Sequence, residues 1–307
     1  MRGVHTAGVR GTVGSVRARE PDRSGFAVRS GVRLYYEVHG DGPVTVLFLP
    51  PWSIVHSRTW KLQVPALARH ARVVVYDPRG NGRSDRPSVP SAYDDDELVA
   101  DAVAVLDAVG VADAVVVGLS TGGRVLLALA AEHPGRVRGA LFVAPKVQLH
   151  DADDPIGAAF EQEREHYDGW WRFNAHYWRR DLSGFAEFFF GEVFPEAHST
   201  RQVEEAVAWA LETDAETLVA TQSPSRRILE QAAARVASAR LRCPVLVIHG
   251  DDDRITSLAQ GRALAEALGA PLEVVVGGGH CVHARHPVWF NLRVRRFVEE
   301  VSGRARA

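Results

Sequence analysis

The chain has 307 residues, 46% hydrophobic and 24% charged, enough apolar material for one large α/β domain with an insertion. Its formal charge of −2 provides no field to gather nucleic acid or an anionic membrane surface, and no apolar run approaches the ~20 residues of a bilayer span. Two cysteines, Cys243 and Cys281, do not make a disulfide framework.

Residues 1–25 are rich in Arg, Gly and Val without sustained periodicity and read as a disordered tail. They lack the apolar core of a signal peptide, so a cytoplasmic location is expected. Val44 to Leu49 reads as a buried strand, followed by Pro50-Pro51-Trp52-Ser53, and a later loop carries Asp77-Pro78-Arg79-Gly80-Asn81-Gly82-Arg83-Ser84-Asp85. Ala114 to Val117 is a mostly β-branched run that breaks into Gly118-Leu119-Ser120-Thr121-Gly122 and continues as a helical pattern from Thr121 to His133, closed by Pro134-Gly135. A bare Gly-x-Ser-x-Gly is weak evidence; on a sharp strand-to-helix turn it becomes a candidate nucleophile elbow. Such a turn strains the backbone of Ser120, so the residues two before and two after must be small. It presents the hydroxyl at the mouth of the sheet, with the Thr121 amide, in the first helical turn, aimed at an oxyanion.

After a strand at Val137 to Val143, residues 146–240 change character. Rings crowd this stretch, among them Trp170, Trp171, Tyr177 and Trp178, and helical patterns fall at Pro155 to Tyr167, Trp170 to Arg179, Ser183 to Phe190, Thr200 to Glu212 and Ser225 to Ala239. Interleaved Arg172, His176, Arg179 and Arg180 suit either an anionic substrate group or an exposed helical face. Another strand, Cys243 to His249, leads into Gly250-Asp251-Asp252-Asp253, and a helix from Ser257 to Leu268 precedes a strand, Leu272 to Val276, that ends in Gly277-Gly278-Gly279-His280. A serine hydroxyl needs a histidine base oriented by an acid. Both candidates lie past the carboxyl ends of strands, where open parallel sheets place their sites, and in the order serine, acid, histidine. His249, His283 and His286 read as packing or surface residues. A metal site built from His283, His286 and the aspartates matches no familiar ligand spacing, and none is expected.

Together these segments resemble the α/β-hydrolase-fold serine hydrolases, from about Val32 to Val301. The most specific matches are the elbow and Asp77 to Asp85, which is similar to the family's Asp-x-Arg-Gly-x-Gly-x-Ser segment; Gly250 with Asp253, and Gly278-Gly279-His280 with Pro287, follow its acid and histidine loops. The resemblance implies an α/β fold with a mostly parallel, doubly wound sheet formed by residues 26–145 and 241–303, and a helical cap at 146–240. It implies Ser120 as nucleophile, His280 as base then acid, and Asp253 as the carboxylate that fixes the imidazole tautomer, with Asp251 and Asp252 as competitors for that last role. No cofactor is implied.

The chain departs from the family at the second oxyanion donor. His-Gly is common there, but Pro50 and Pro51 have no N–H, which leaves the Trp52 amide to join that of Thr121. Trp52, Trp60, Trp170, Trp171, Tyr177 and Trp178 are the residues expected beside the substrate. Ser120 argues against the aspartate-nucleophile dehalogenases and epoxide hydrolases of the family. The expected reaction is acyl transfer on an ester, lactone or thioester of a small, largely apolar molecule, by a monomer or homodimer with no nucleic-acid or membrane partner. Perhydrolase or haloperoxidase-like chemistry, carbon–carbon hydrolysis and a non-catalytic binder are the alternatives.

Overall fold

The computed structural model describes residues 19–147, 149, 155–222 and 241–304. Its strands are β1 (Arg23–Arg29), β2 (Val32–His39), β3 (Thr45–Leu49), β4 (Arg72–Tyr76), β5 (Ala114–Leu119), β6 (Val137–Val143), β7 (Val245–Gly250) and β8 (Leu272–Val275). They form one sheet in the order β1-β2-β4-β3-β5-β6-β7-β8. β1 and β2 pair antiparallel, as do β2 and β4, and every pair from β4 to β8 is parallel.

The expected tail ran too far. Residues 23–25 belong to β1, which turns into β2 through Ser30 and Gly31, both at positive φ (48° and 80°). That pair of left-handed residues matches the right-handed twist of a two-residue hairpin, and it begins the sheet before residue 26.

The parallel strands are apolar on both faces because helices cover both. Val46, Phe48, Val115, Val117 and Leu119 face one core, whereas Leu47, Leu49, Ala114 and Val116 face the other. The first core takes in the short helix α1 (Val64–Leu67) and the C-terminal helix Pro287–Arg304; the second takes in α2 (Asp95–Ala108), α3 (Thr121–Glu132) and the helix Leu258–Leu268.

The insertion between β6 and β7 contributes α4 (Pro155–Ala158), α5 (Ala175–Arg180), α6 (Leu182–Val193), α7 (Thr200–Ala210) and α8 (Ala215–Ala220), whose rings continue the first core. Two expected helices are cut short, and Asn174 is the cause. Its Nδ2 donates to Ala159 O (3.0 Å) and Gln162 O (2.8 Å), and the Ala175 amide donates to Phe160 O (2.9 Å), so carbonyls that would extend α4 to Tyr167 are occupied. Its Oδ1 accepts from the amides of His176 and Tyr177, so a helix start replaces the continuous run expected from Trp170, where a 3₁₀ turn (Gly169–Arg172) stands alone. The helix expected at Ser225 to Ala239 lies outside the described residues. No helix among the described residues is long and apolar enough to cross a membrane.

Candidate active site

Ser120 joins β5 to α3 at φ 55° and ψ −119°, a conformation rarely tolerated by a residue with a side chain. Close packing sets the flanking glycines: a Cβ on Gly118 would lie 2.4 Å from Gly122 O, and one on Gly122 would lie 2.7 Å from Pro50 O. Backbone bonds hold the turn, with the Ser120 amide on Val143 O (3.0 Å) and the Ser120 carbonyl accepting from the amides of Gly123 and Lys146. Thr121 opens α3, so its N–H is one of the first-turn donors that the helical ladder leaves over.

Past β7, Asp253 is saturated with donors. Its Oδ1 accepts from the amides of Ile255 (2.8 Å) and Thr256 (2.9 Å), while its Oδ2 meets His280 Nδ1 (2.9 Å), Thr256 Oγ1 (2.9 Å) and His249 Nε2 (3.1 Å). Burial raises the Asp253 pKa, but the positive charge available on His280 and the hydrogen bonds from His249, His280 and Thr256 outweigh it and hold the carboxyl well below the usual range. Asp251 instead accepts the Gly277 amide at the surface, and Asp252 faces Arg254 at 3.6 Å. Geometry therefore separates the three aspartates: among them, it is Asp253 that bonds His280. Beside it the Cys281 thiol is pushed well above its ordinary value, first by burial and then by the Asp253 charge, so it stays protonated.

Thr256 links the two halves of the site. Its Oγ1 reaches Asp253, lies 3.4 Å from His280 Nδ1 and 3.2 Å from Ala144 O, and Ala144 directly follows Val143, the acceptor of the Ser120 amide. Ser120 and His280 thus stand at the same edge of the sheet. No direct hydrogen bond joins them, and such contacts commonly tighten only around a bound substrate. Neither Thr256 nor the role of His249 was anticipated from sequence. The available signal for His249 was a histidine ending an apolar strand, Val245–Gly250, beside a run of aspartates: a buried imidazole needs a partner.

The Pro50-Pro51-Trp52 loop is braced from both sides. Ser53 Oγ donates to Arg79 O (2.8 Å), Asn81 Nδ2 donates to Ser53 O (2.9 Å), and the Trp52 indole N–H donates to Thr221 Oγ1 (2.8 Å) on the insertion. Asp77 to Asp85 is this brace. Arg79 and Asp101, both buried, form a two-pronged pair, and Asp77 accepts from the amides of Ser57 and Arg83.

A cavity of about 520 Å³ opens over Ser120 and Thr121. Trp52, Trp170, Phe173 and Phe189 form its aromatic wall, and Lys146, Arg254 and Gln222 contribute polar groups. Four residues expected in this wall lie elsewhere. Trp60 is buried against Phe48 and His283, Trp178 is fully enclosed by Phe160, Phe173 and Phe185, Tyr177 packs on Tyr167, and Trp171 lies under the Arg164 guanidinium. Each is taken by packing of the insertion on itself or on the core. The cationic stretch faces away too: Arg179 pairs with Glu216, and Arg172 and Arg180 stack on Phe188 and on Tyr167 with Tyr177. Among the described residues, no group of three or more histidines, cysteines and carboxylates is placed to hold a metal ion.

The family model for the alpha/beta hydrolase fold matches residues 45–287. The chain belongs to the α/β-hydrolase family. It is 32% identical over 272 residues to a 2-hydroxymuconate semialdehyde hydrolase of Pseudomonas sp. (strain CF600), covering 87% of each protein. A segment of 137 residues, 43% of this chain and 48% of its relative, is 34% identical to a non-heme chloroperoxidase of Streptomyces lividans. Among solved structures, Est816, described as an N-acyl homoserine lactone degrading enzyme, superposes with a TM-score of 0.71 at 30% identity over 89% of this chain and 100% of that one. This α/β hydrolase is an enzyme, and its relatives are hydrolases.

Proposed function

We propose that this α/β hydrolase is a serine esterase or lactonase acting through Ser120, His280 and Asp253. The observation that carries the reading is the pairing of a strained serine at the strand-to-helix turn, φ 55°, with an imidazole held at 2.9 Å by a buried carboxylate at the same sheet edge. Ser120 Oγ attacks the carbonyl carbon as His280 Nε2 takes its proton, and the amides of Thr121 and Trp52 receive the oxyanion. His280 returns the proton to the leaving oxygen, or to the tethered hydroxyl of an opened lactone. Water, deprotonated by His280, then releases the acid and restores Ser120.

The insertion acts as a cap whose aromatic wall takes the apolar part of a small carboxylic ester, lactone or thioester. Likeness to Est816 supports an ester bond as the target. Likeness to the semialdehyde hydrolase supports carbon–carbon hydrolysis as the second reading, and likeness to the chloroperoxidase supports peracid formation at the same serine. Fluorophosphonate labelling that disappears in Ser120→Ala is the expected result, with chromogenic esters, lactones and thioesters of graded size turned over by the wild type alone. A wild type that is neither labelled nor active on any of them sinks the proposal. Peracid made from acetate and peroxide with no ester turnover would select that chemistry instead.

A further inference from the structure

We propose that His249 is a positioning residue that shares Asp253 Oδ2 with His280 and sets the acid limit of activity. This rests on the proposed roles of Ser120, His280 and Asp253. His249 is 0% exposed at the end of β7, and its Nε2 lies 2.9 Å from Thr256 O and 3.1 Å from Asp253 Oδ2. A backbone carbonyl only accepts, so Nε2 carries the proton, and that N–H is shared between the carbonyl and the carboxylate. Nδ1 has no hydrogen-bond partner. It faces Gly261 on the helix Leu258–Leu268, where a Cβ would stand 2.3 Å away. The site for the ring is therefore fitted: a glycine on one side, two acceptors on the other, and a single tautomer that satisfies both.

Asp253 Oδ2 is thus shared by two imidazoles. A donated hydrogen bond disperses the charge of a carboxylate and weakens its attraction for a neighbouring cation. With His249 in place, Asp253 orients His280 but stabilises its protonated form less. His280 then keeps its Nε2 free to take the Ser120 proton at lower pH. Remove the donor and His280 stays protonated, and so unable to act as base, at higher pH. Other titratable groups also face this pair. Cys281 is buried beside Asp253, Glu196 on the insertion accepts the Gly279 amide, His283 is close enough to feel the His280 charge, and Lys146 and Arg254 line the cavity. A substitution at His249 leaves them all in place.

The test compares the pH dependence of kcat/KM for ester hydrolysis in wild type, His249→Leu and His249→Gln. Leu should move the midpoint of the acid limb upward by roughly half to one pH unit, whereas Gln, whose amide N–H reaches the position of Nε2, should restore it. A uniform drop in rate at an unchanged midpoint in the Leu variant would reduce His249 to packing and overturn the inference. Should Leu fail to fold, imidazole NMR of the wild type decides: the proton on Nε2 supports the assignment, and a proton on Nδ1 refutes it. Retention of activity in Ser120→Ala would sink the underlying reaction instead, whatever the His249 profiles show.

Discussion

Asp253→Asn separates an effect on chemistry from an effect on folding. The amide oxygen of the new side chain keeps the amides of Ile255 and Thr256, which places its NH₂ group against the donors now shared by Oδ2: His280 Nδ1, Thr256 Oγ1 and His249 Nε2. Two of these have somewhere else to go. The Thr256 hydroxyl turns to Ala144 O at 3.2 Å, and His249 Nε2 stays on Thr256 O at 2.9 Å. His280 has only the Thr256 oxygen, a long 3.4 Å from Nδ1; it satisfies the substituted amide by moving its proton to Nε2, the tautomer that cannot accept from Ser120. Loss of hydrogen bonds to a charged acceptor, each worth about 1.5–3 kcal/mol and here partly replaced, gives an expected destabilisation of about 2 kcal/mol. The wrong tautomer costs about 10⁴ in kcat, or about 5 kcal/mol of transition-state stabilisation. Initial rates on a chromogenic ester near pH 7, paired with urea unfolding, read both quantities. Asp251→Asn, whose amide oxygen still accepts from the Gly277 amide at the surface, should stay within a few-fold of wild type. A folded Asp253→Asn enzyme losing less than tenfold, or equal losses in the two variants, would refute the orienting role.

Three further outcomes are expected. Gly122→Ala places a Cβ 2.7 Å from Pro50 O and pushes the Pro50-Trp52 loop from the elbow. If the Trp52 amide is the second oxyanion donor, kcat falls about 10²-fold with little change in KM, and an unchanged kcat would remove Trp52 from that role. Trp170→Ala should raise KM for bulky apolar esters while leaving the unfolding free energy within about 1 kcal/mol, because Trp170 is a half-buried wall residue. Trp178→Ala should cost about 3–5 kcal/mol of stability, and the reverse pattern would return Trp178 to the pocket. Finally, burial pushes the His283 pKa down to about 3, so the folded protein keeps it neutral while the unfolded chain protonates below about 6.5. Its contribution to stability is therefore lost as pH falls from about 6.5 towards 3, by about 2 kcal/mol between pH 7 and 5. His283→Phe should flatten that part of the dependence, measured by urea unfolding at both pH values, and equal slopes in wild type and variant would contradict it.

The parallel core and the elbow were legible because each rests on local chemistry. Fully buried strands write continuous β-branched runs, and the elbow demands small residues at 118 and 122 whatever the ligand. The offset from Gly250 pointed to Asp253 but could not exclude Asp251, since which carboxylate turns inward depends on the amides of Ile255 and Thr256, a feature of loop conformation. The insertion was least legible. Its rings recur at helical spacing, so Tyr177, Trp178 and Trp170 look alike in sequence, and only packing decides that Trp178 fills a hole between Phe160, Phe173 and Phe185 while Trp170 faces the cavity. Asn174 shows the same limit from another direction: its side chain reaches back to Ala159 O and Gln162 O and ends one helix while starting the next, a double role that no local pattern announces.

The Pro50-Pro51-Trp52 loop and the insertion are held by the same segment. Asn81 donates both to Ser53 O in the loop and to Trp209 O on α7, and Thr213 donates to Gly80 O. Arg86 reaches Glu212 O, and Trp52 itself bonds Thr221 just after α8. Any displacement of α7 and α8 away from the core therefore pulls on residues 52, 53 and 80–81 together. The proline pair at 50 and 51 resists that pull, because its fixed φ values leave the loop few ways to deform. A histidine-glycine pair at the same place would add two N–H groups but yield more readily. Here the chain gives up donors at two positions and keeps the path of the loop stiff.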